Sequence, residues 1–313
     1  MAGRRHRAVD AREVPVREVV SRWAAVVVNY EAGHALTRCV QSLLADTSAG
    51  AAPHVVVVDN GSSDGSTAAI EEAPPAVTVL HPGKNLGYAR AANLGIDATD
   101  ASVVAICNPD LEVEAGTAAA ILSRLAAEPD LAAAGPLIRN PDGSIYPSAR
   151  SVPRLRDAVG HGLLGLVWRT NPFTRRYRQL DADPRHPRDV DWVSGAAIWL
   201  RRDALRTVGG WDERYFMYVE DVDLCWRLRS AGWRIGYEPG GTVTHVQGAA
   251  TARHPYRMIV EHHRSLFRFA AKRWHGPKRV ALPLAAVFLT VRAGLAMAEH
   301  ALRRRPRPPQ VTG

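Results

Sequence analysis

Between Trp23 and Asp110 the chain alternates short, uninterrupted apolar runs with segments of helical period, and three of the runs carry Asn or Asp at or just past their carboxyl ends. The runs are Trp23-Ala-Ala-Val-Val-Val-Asn-Tyr30, His54-Val-Val-Val-Val58, Val77-Thr-Val-Leu80 and Ser102-Val-Val-Ala-Ile-Cys107. A strand that is apolar at every position has no face to offer water, so it must be covered on both sides. Leu36, Val40, Leu43 and Leu44 recur at helical spacing, and a second helix is predicted from about Tyr88 to Asp97. This order predicts an α/β fold with a doubly wound, mostly parallel sheet flanked by helices. Ligands of such sheets sit beyond the carboxyl ends of the strands, where Asn29, Asp59 and Asp110 fall.

The second half is less regular. Residues 139–190 are rich in proline and arginine and read as a loop-rich insertion, Asp191–Leu200 as one buried strand. An acidic helix start follows at Glu220, then strands near Trp233–Tyr237 and Thr242–Val246, and after His254 the chain turns helical and basic. With 313 residues, 46% of them apolar, the chain buries a real core, which excludes a disordered regulator or a disulfide-stapled mini-protein. Cys39, Cys107 and Cys225 each lie in an apolar stretch and read as reduced, buried thiols of a cytosolic body. Residues 1–22 are arginine-rich, lack the apolar core of a signal peptide and are expected to be a disordered tail.

The formal net charge of +9 is concentrated at one end: residues 252–313 hold 13 Lys and Arg against Glu261 and Glu299. A basic surface of that kind recruits polyanions, either nucleic acid or an anionic membrane.

Each polar constellation admits two readings. Asp59-Asn-Gly-Ser-Ser-Asp-Gly-Ser66 is a strand-to-helix turn, or a place where the Asp59 carboxylate accepts a hydrogen bond from a base or ribose. No GxGxxG dinucleotide fingerprint occurs. Asp110, in Asn108-Pro-Asp110, is a helix cap or a hard oxygen ligand for Mg²⁺ or Mn²⁺ bridging a diphosphate. Glu220, Asp221 and Asp223 suit a helix N-terminus electrostatically. On a helix, Asp221 and Asp223 point about 200° apart, so only one of them lines a single cleft. A carboxylate there is placed to deprotonate a hydroxyl. His245, after a strand, is a core histidine or a ligand.

Taken in order, these pieces resemble the family-2 glycosyltransferases of the GT-A fold, a Rossmann-like sheet flanked by helices. The resemblance runs over residues 23–270 through Val28-Asn29-Tyr30, Val58–Gly65, Asn85–Gly95, Asn108-Pro-Asp110, Ser194-Gly195-Ala196, Gly209–Glu213, Tyr218–Asp223 and His245. Within the family the chain looks most like bacterial rhamnosyltransferases that act on polyprenyl-diphosphate-linked N-acetylglucosamine. The resemblance implies a 23–250 catalytic domain, with a nucleotide-sugar half at 23–138 and an acceptor half at 139–250, and a basic helical, membrane-proximal extension at 251–313. It implies that Asp59 reads the pyrimidine, with Asn29, Tyr30, Asn60, Gly61, Asn85, Gly87, Arg90, Asn93 and Asn108 around the nucleotide sugar. Asp110 takes the last position of the family's DxD metal motif, with neutral Asn108 in the first, and His245 matches a histidine near the metal and diphosphate. Asp221 matches the catalytic base, while Trp211, Glu220 and Asp223 look like acceptor-side residues.

The implied reaction is metal-dependent and inverting. It uses a nucleotide-sugar donor, expected to be dTDP-L-rhamnose, and a lipid-linked or polysaccharide acceptor of the cell envelope. A family-2 enzyme for galactofuranose or a hexose is the nearest rival, and a non-catalytic nucleic-acid-binding protein using the basic C-terminus is the rival of another class. The latter leaves the acidic motifs unexplained, so no nucleic-acid partner is expected. Val280–Val291 is apolar for 12 residues, and Leu284, Val287, Phe288, Val291 and Leu295 form a stripe flanked by Lys278, Arg279 and Arg303–Arg305. A span needs about 20 apolar residues. The segment reads as a helix packed on the catalytic body or, the favoured expectation, as an interfacial helix on the anionic inner face of the plasma membrane, with the protein peripheral and cytoplasmic.

Overall fold

The computed structural model describes residues 23–71, 76–152, 170–246 and 254–303, with residues 157, 160, 162 and 168 between them. The expected disordered tail at 1–22 lies outside the described residues. In chain order the elements are β1 (Trp23–Asn29), α1 (His34–Ala45), β2 (His54–Asp59), α2 (Ala68–Glu71), β3 (Val77–Leu80), α3 (Tyr88–Asp97), β4 (Val103–Cys107), β5 (Leu111–Val113), α4 (Thr117–Ala127), β6 (Leu131–Arg139) and β7 (Ile145–Tyr146). They continue with β8 (Ala149–Arg150), α5 (Pro172–Tyr177), β9 (Arg188–Asp189), β10 (Trp192–Val193), β11 (Ala197–Arg201), α6 (Arg202–Val208), α7 (Glu220–Ser230), β12 (Arg234–His245), α8 (Pro255–Arg273), a short 3₁₀ turn (Gly276–Ala281) and α9 (Leu282–Arg303).

The main sheet runs β3-β2-β1-β4-β11-β6-β12-β5. Its first four strands are parallel, and Asn29 pairs with Asp59 at the carboxyl end. β11 enters antiparallel to β4 and begins the second half. All seven residues of β1 are buried, as the continuous apolar run requires. Successive side chains alternate between faces. Val26 and Val28 lie in the core of one face with Ala92 and Ile96 of α3 and Leu224 and Leu228 of α7. Ala25 and Val27 lie in the core of the other face with Leu36 and Leu43 of α1 and Ile121 and Leu125 of α4. The three cysteines are free and buried.

Two strand expectations change. Asp191–Leu200 is not one strand: it divides at Ser194-Gly195-Ala196, with Trp192–Val193 pairing β8 in a separate two-stranded sheet and Ala197–Arg201 joining the main one. The break follows from Gly195, whose N–H donates to a side chain instead of a neighbouring strand. Conversely, the two strands expected around 233–246 are one, β12, with its register shifted between Glu238 and Thr242. Pro239-Gly240-Gly241 supplies the bulge, since proline lacks the ladder N–H and glycine tolerates the kink.

The C-terminal part divides in two. Helix α8 belongs with the body: Phe269 packs with Tyr215 and Val219, and Ser265 Oγ donates to the Met217 carbonyl. None of the described side chains of α9 is buried, and Val280, Leu284 and Val287 are 84%, 72% and 61% exposed. This helix continues past Arg292 to 22 residues, longer than the apolar run alone, and its composition is apolar enough to cross a bilayer. Arg292 turns to the body instead of outward, donating to the Gly162 carbonyl.

Candidate active site

A cavity of about 330 Å³ opens at the carboxyl ends of the parallel strands, where Tyr30, Asn60, Asn85, Tyr88, Asp110 and His245 meet Phe216, Met217 and Tyr218 from the second half. The nucleotide side is built by the turn after β2. Asn60 lies 3% exposed, its Oδ1 accepting from the Leu86 N–H at 2.7 Å and its Nδ2 donating to the Gly87 carbonyl at 3.2 Å. Gly61 and Gly87 are fixed by space: a Cβ at Gly61 would stand 3.0 Å from the Lys84 backbone, and one at Gly87 would stand 2.6 Å from the Phe216 carbonyl oxygen. Asn85 Oδ1 accepts from the Gly87 N–H, and the Tyr88 N–H donates to Phe216 O, stitching this turn to the second half.

Asp59 points its Oδ2 toward His81 Nδ1 at 3.6 Å, and its Oδ1 accepts from Asn29 Nδ2 at 3.0 Å. Asn29 is fully buried and also donates to Ser66 Oγ, so it holds Asp59 and the turn in place from beneath and does not face the cavity. Nothing in the sequence reading had singled out His81.

Asp110, Asn108 and His245 converge. His245, the last residue of β12, has Nε2 3.0 Å from Asp110 Oδ1 and 3.3 Å from Asn108 Nδ2. On the other edge of the ring, Nδ1 is buried without a hydrogen-bond partner. A carboxylate oxygen, an imidazole nitrogen and an amide meeting at one point fit a hard divalent ion such as Mg²⁺ or Mn²⁺. Among the described residues no group of three or more His, Cys, Asp or Glu stands ready to hold a metal, so such an ion needs further oxygens from a bound diphosphate or water.

The acidic helix start is aimed by backbone strain. Tyr218 and Val219 both lie at positive φ, 67° and 68°, which is unusual for any residue with a side chain and most of all for β-branched valine. Each such residue costs about 1–3 kcal/mol and persists where the surroundings over-determine it. Here Tyr218 and Val219 pack on α8 and deliver Glu220 and Asp221 beside the cavity. Asp221 Oδ2 accepts from the Gly195 N–H at 2.9 Å and Oδ1 from the Val222 N–H at 2.8 Å. The Gly195 carbonyl accepts from the Tyr88 hydroxyl at 2.7 Å, tying Asp221 to the cavity wall.

Burial raises the Asp221 pKa above the ordinary aspartate value, against the opposing pull of those N–H donors and of the Arg150 guanidinium. Burial, with the Asp221 charge beside it, raises Glu220 well above the usual carboxylate range, and one of its oxygens is buried without a partner. The Tyr88 phenol is pushed up by burial first, then by Glu220, Cys107, Asp221 and Asp110, which places both acidic centres around one ring.

Several expected site residues stand elsewhere. Arg90 pairs with Glu213, and Asn93 holds both the N–H and the carbonyl of Trp211, so α3 turns these two toward the 209–213 loop and not toward the cavity. Trp211 is 1% exposed and packs edge-on to Tyr88 at 6.1 Å, too buried to meet an acceptor. Asp223 is fully buried, its carboxylate accepting from Arg227, Lys272 and Tyr215. It is a structural anchor because the helix turns it away from Asp221. The sequence reading missed Arg150 and Arg257. Arg150 is stacked among Tyr146, Tyr177 and Trp192. Arg257, on α8, lies over the Phe216 ring at 4.7 Å and lines the cavity. No local pattern marks either residue; both arrive through long-range packing.

A family model described as Glycosyl transferase family 2 matches residues 24–209. The chain is 41% identical over 290 residues to the N-acetylglucosaminyl-diphospho-decaprenol L-rhamnosyltransferase of Mycobacterium tuberculosis, covering 89% of this chain and 92% of that one. Among solved structures it is similar to GalNAc-T7 with UDP, GalNAc and Mn²⁺ (TM-score 0.55, 15% identity, 92% of this chain and 58% of that one). It is also similar to the mannosyltransferase PcManGT of Pyrobaculum calidifontis in complex with GDP-Man and Mn²⁺ (TM-score 0.54, 18% identity, 91% and 76%). These two likenesses establish a GT-A-like fold. With its strand-end carboxylates, its cavity and a relative matched over nearly its whole length, the chain belongs to glycosyltransferase family 2.

Proposed function

We propose that this enzyme transfers L-rhamnose from dTDP-L-rhamnose to N-acetylglucosamine carried on polyprenyl diphosphate, with inversion at the anomeric carbon. The observation that carries this reading is the 41% identity to the mycobacterial rhamnosyltransferase over 89% of the chain. Asp221 takes the proton from the acceptor hydroxyl, with the Gly195 and Val222 N–H groups fixing its orientation. Its raised pKa makes it a stronger base than an exposed aspartate while Arg150 keeps ionisation within reach. Asp59 and Asn60 hold the nucleobase end of the donor. Asp110 and His245, with Asn108 beside them, would hold Mg²⁺ or Mn²⁺, and that ion when bound neutralises charge on the departing nucleoside diphosphate. The hydroxyl attacks opposite the leaving group, so a single displacement inverts the centre.

The enzyme works at the cytoplasmic face of the membrane, held there by α9, and its basic C-terminal residues serve lipid and not nucleic acid. The test is a donor screen with purified protein, Mg²⁺ and a short-chain diphospho-N-acetylglucosamine lipid, reading released nucleoside diphosphate. Release of dTDP that needs both substrates is the expected result. Faster turnover of a UDP-hexose or UDP-galactofuranose would replace rhamnose with that sugar.

A further inference from the structure

A second concavity, an open groove of about 1170 Å³, runs between α8 and α9 and has no role in the chemistry above. Its walls differ in kind. Phe267 on α8 and Leu289, Ala293 and Met297 on α9 make one side apolar, and Gly294 leaves the floor open. The other side carries Arg214, Arg264, Arg268 and Lys272 against a single acid, Glu261. Lys272 and Arg214 are engaged by Asp212. Arg264 is 68% exposed on its helix and meets only Glu261, while Arg268 donates to the Arg214 carbonyl and lies near the Tyr215 ring, with no acidic partner among the described residues. Phe216 borders both this groove and the catalytic cavity, and Arg257, one helical face along from Arg264 and Arg268, covers that ring.

We infer that this groove seats the lipid diphosphate of the acceptor: the first prenyl units lie along the apolar wall, the diphosphate on Arg264 and Arg268, and the sugar passes over Phe216 toward Asp221. The inference deepens the proposed function and rests on its lipid-linked acceptor. An apolar wall facing a cationic one complements an amphiphile whose anionic group sits at the root of a long chain. A free nucleotide would leave the apolar wall uncovered, and an alkyl chain would leave the arginines unpaired. The exposed apolar stripe of α9, Leu284, Val287, Val291 and Leu295, lies on the side of that helix away from the groove wall, so α9 meets lipid with one face and the groove with another.

The experiment is equilibrium binding of geranylgeranyl diphosphate to the full chain in mild detergent, with no sugar donor present. Inorganic pyrophosphate, geranylgeraniol and phosphatidylglycerol serve as competitors. Wild type is expected to bind the diphosphate lipid at least about tenfold more tightly than pyrophosphate or the alcohol. A Cβ at Gly294 meets nothing within 4 Å, so Gly294→Trp fills the groove without a clash at its root and should weaken binding about tenfold. Arg264→Glu should weaken it too, and both variants should bind dTDP as wild type does. Undiminished lipid binding in both variants overturns the inference, as does equal displacement by phosphatidylglycerol. If Gly294→Trp also loses dTDP binding, the fold has failed and Arg264→Glu alone decides. Because no donor is used, a failed rhamnosyl-transfer assay refutes the proposed reaction, and only this binding result bears on the groove.

Discussion

The Gly195 N–H donates to Asp221 Oδ2 at 2.9 Å, and a Cβ on residue 195 would stand only 3.1 Å from the Asp221 Cβ. Gly195 does not lie at positive φ, so the glycine is there for closeness and not for backbone freedom. Gly195→Ala should therefore push the base off its line and lower kcat, with dTDP binding unchanged. Asp221→Asn keeps the shape and removes the proton acceptor, so kcat should fall about 10²–10⁴-fold. Near-normal turnover by the asparagine variant, measured as nucleoside diphosphate release, would move the role to Glu220.

The pH profile follows from the same helix start. Asp221 is raised by burial, so the acid limb of kcat/KM should lie above the ordinary aspartate value of about 3.9. Arg150→Met, which removes a cation that favours the ionised form, should move that limb to still higher pH.

Glu220 makes a separate stability prediction. Its folded pKa is raised above the unfolded value, so its favourable contribution is complete when it is protonated, below about pH 4, and is lost as pH rises through the folded value. Glu220→Gln should thus raise Tm relative to wild type at pH 8, and the gap should close toward pH 4.

Metal dependence is expected to be complete. A chelator should stop transfer and Mg²⁺ or Mn²⁺ should restore it, because one carboxylate and one imidazole grip a diphosphate poorly without an ion. Asn108→Asp adds the charge that the first motif position lacks and should lower the metal concentration for half-maximal rate. Full activity in excess EDTA would refute the assignment of Asp110 and His245.

Asp223 is buried with Arg227 at 2.7 Å and Lys272 at 2.7 Å. Removing one member of a buried ion network leaves the rest uncompensated, so Asp223→Ala should cost about 3–5 kcal/mol in denaturant unfolding. If Asp223 instead served the acceptor, KM would rise with stability intact.

Helix α9 should make membrane binding separable from the fold. A chain ending at Gly276 keeps α8 on the body but loses the exposed stripe of Leu284, Val287, Val291 and Leu295. It should lose sedimentation with anionic liposomes, while the full chain binds and is released by salt, each basic group near the surface contributing about 1 kcal/mol. Equal binding by both chains would remove α9 from the membrane.

The parallel half was legible in the sequence because its signals are local. A continuous apolar run such as Val55–Val58 can only be a covered strand, and a parallel strand must deliver its terminal Asp59 or Asn108-Pro-Asp110 to the same edge of the sheet. The spacing of Asp221 and Asp223 on one helix likewise showed that only one of them faces a cleft. Which one does was decided by packing: Lys272, 49 residues along the chain, closes on Asp223 and leaves Asp221 to Gly195. The division of 191–200 into two sheets, the burial of Trp211, the turning of Arg90 and Asn93 to the neighbouring loop, and the arrival of Arg150 and Arg257 are also long-range events. They depend on which surfaces meet after the chain has folded, and no periodicity within a dozen residues encodes that. The sequence by itself determined the sheet edge and the chemical groups along it; the tertiary structure alone decided which of those groups face one another, because burial and charge pairing are properties of neighbours in space.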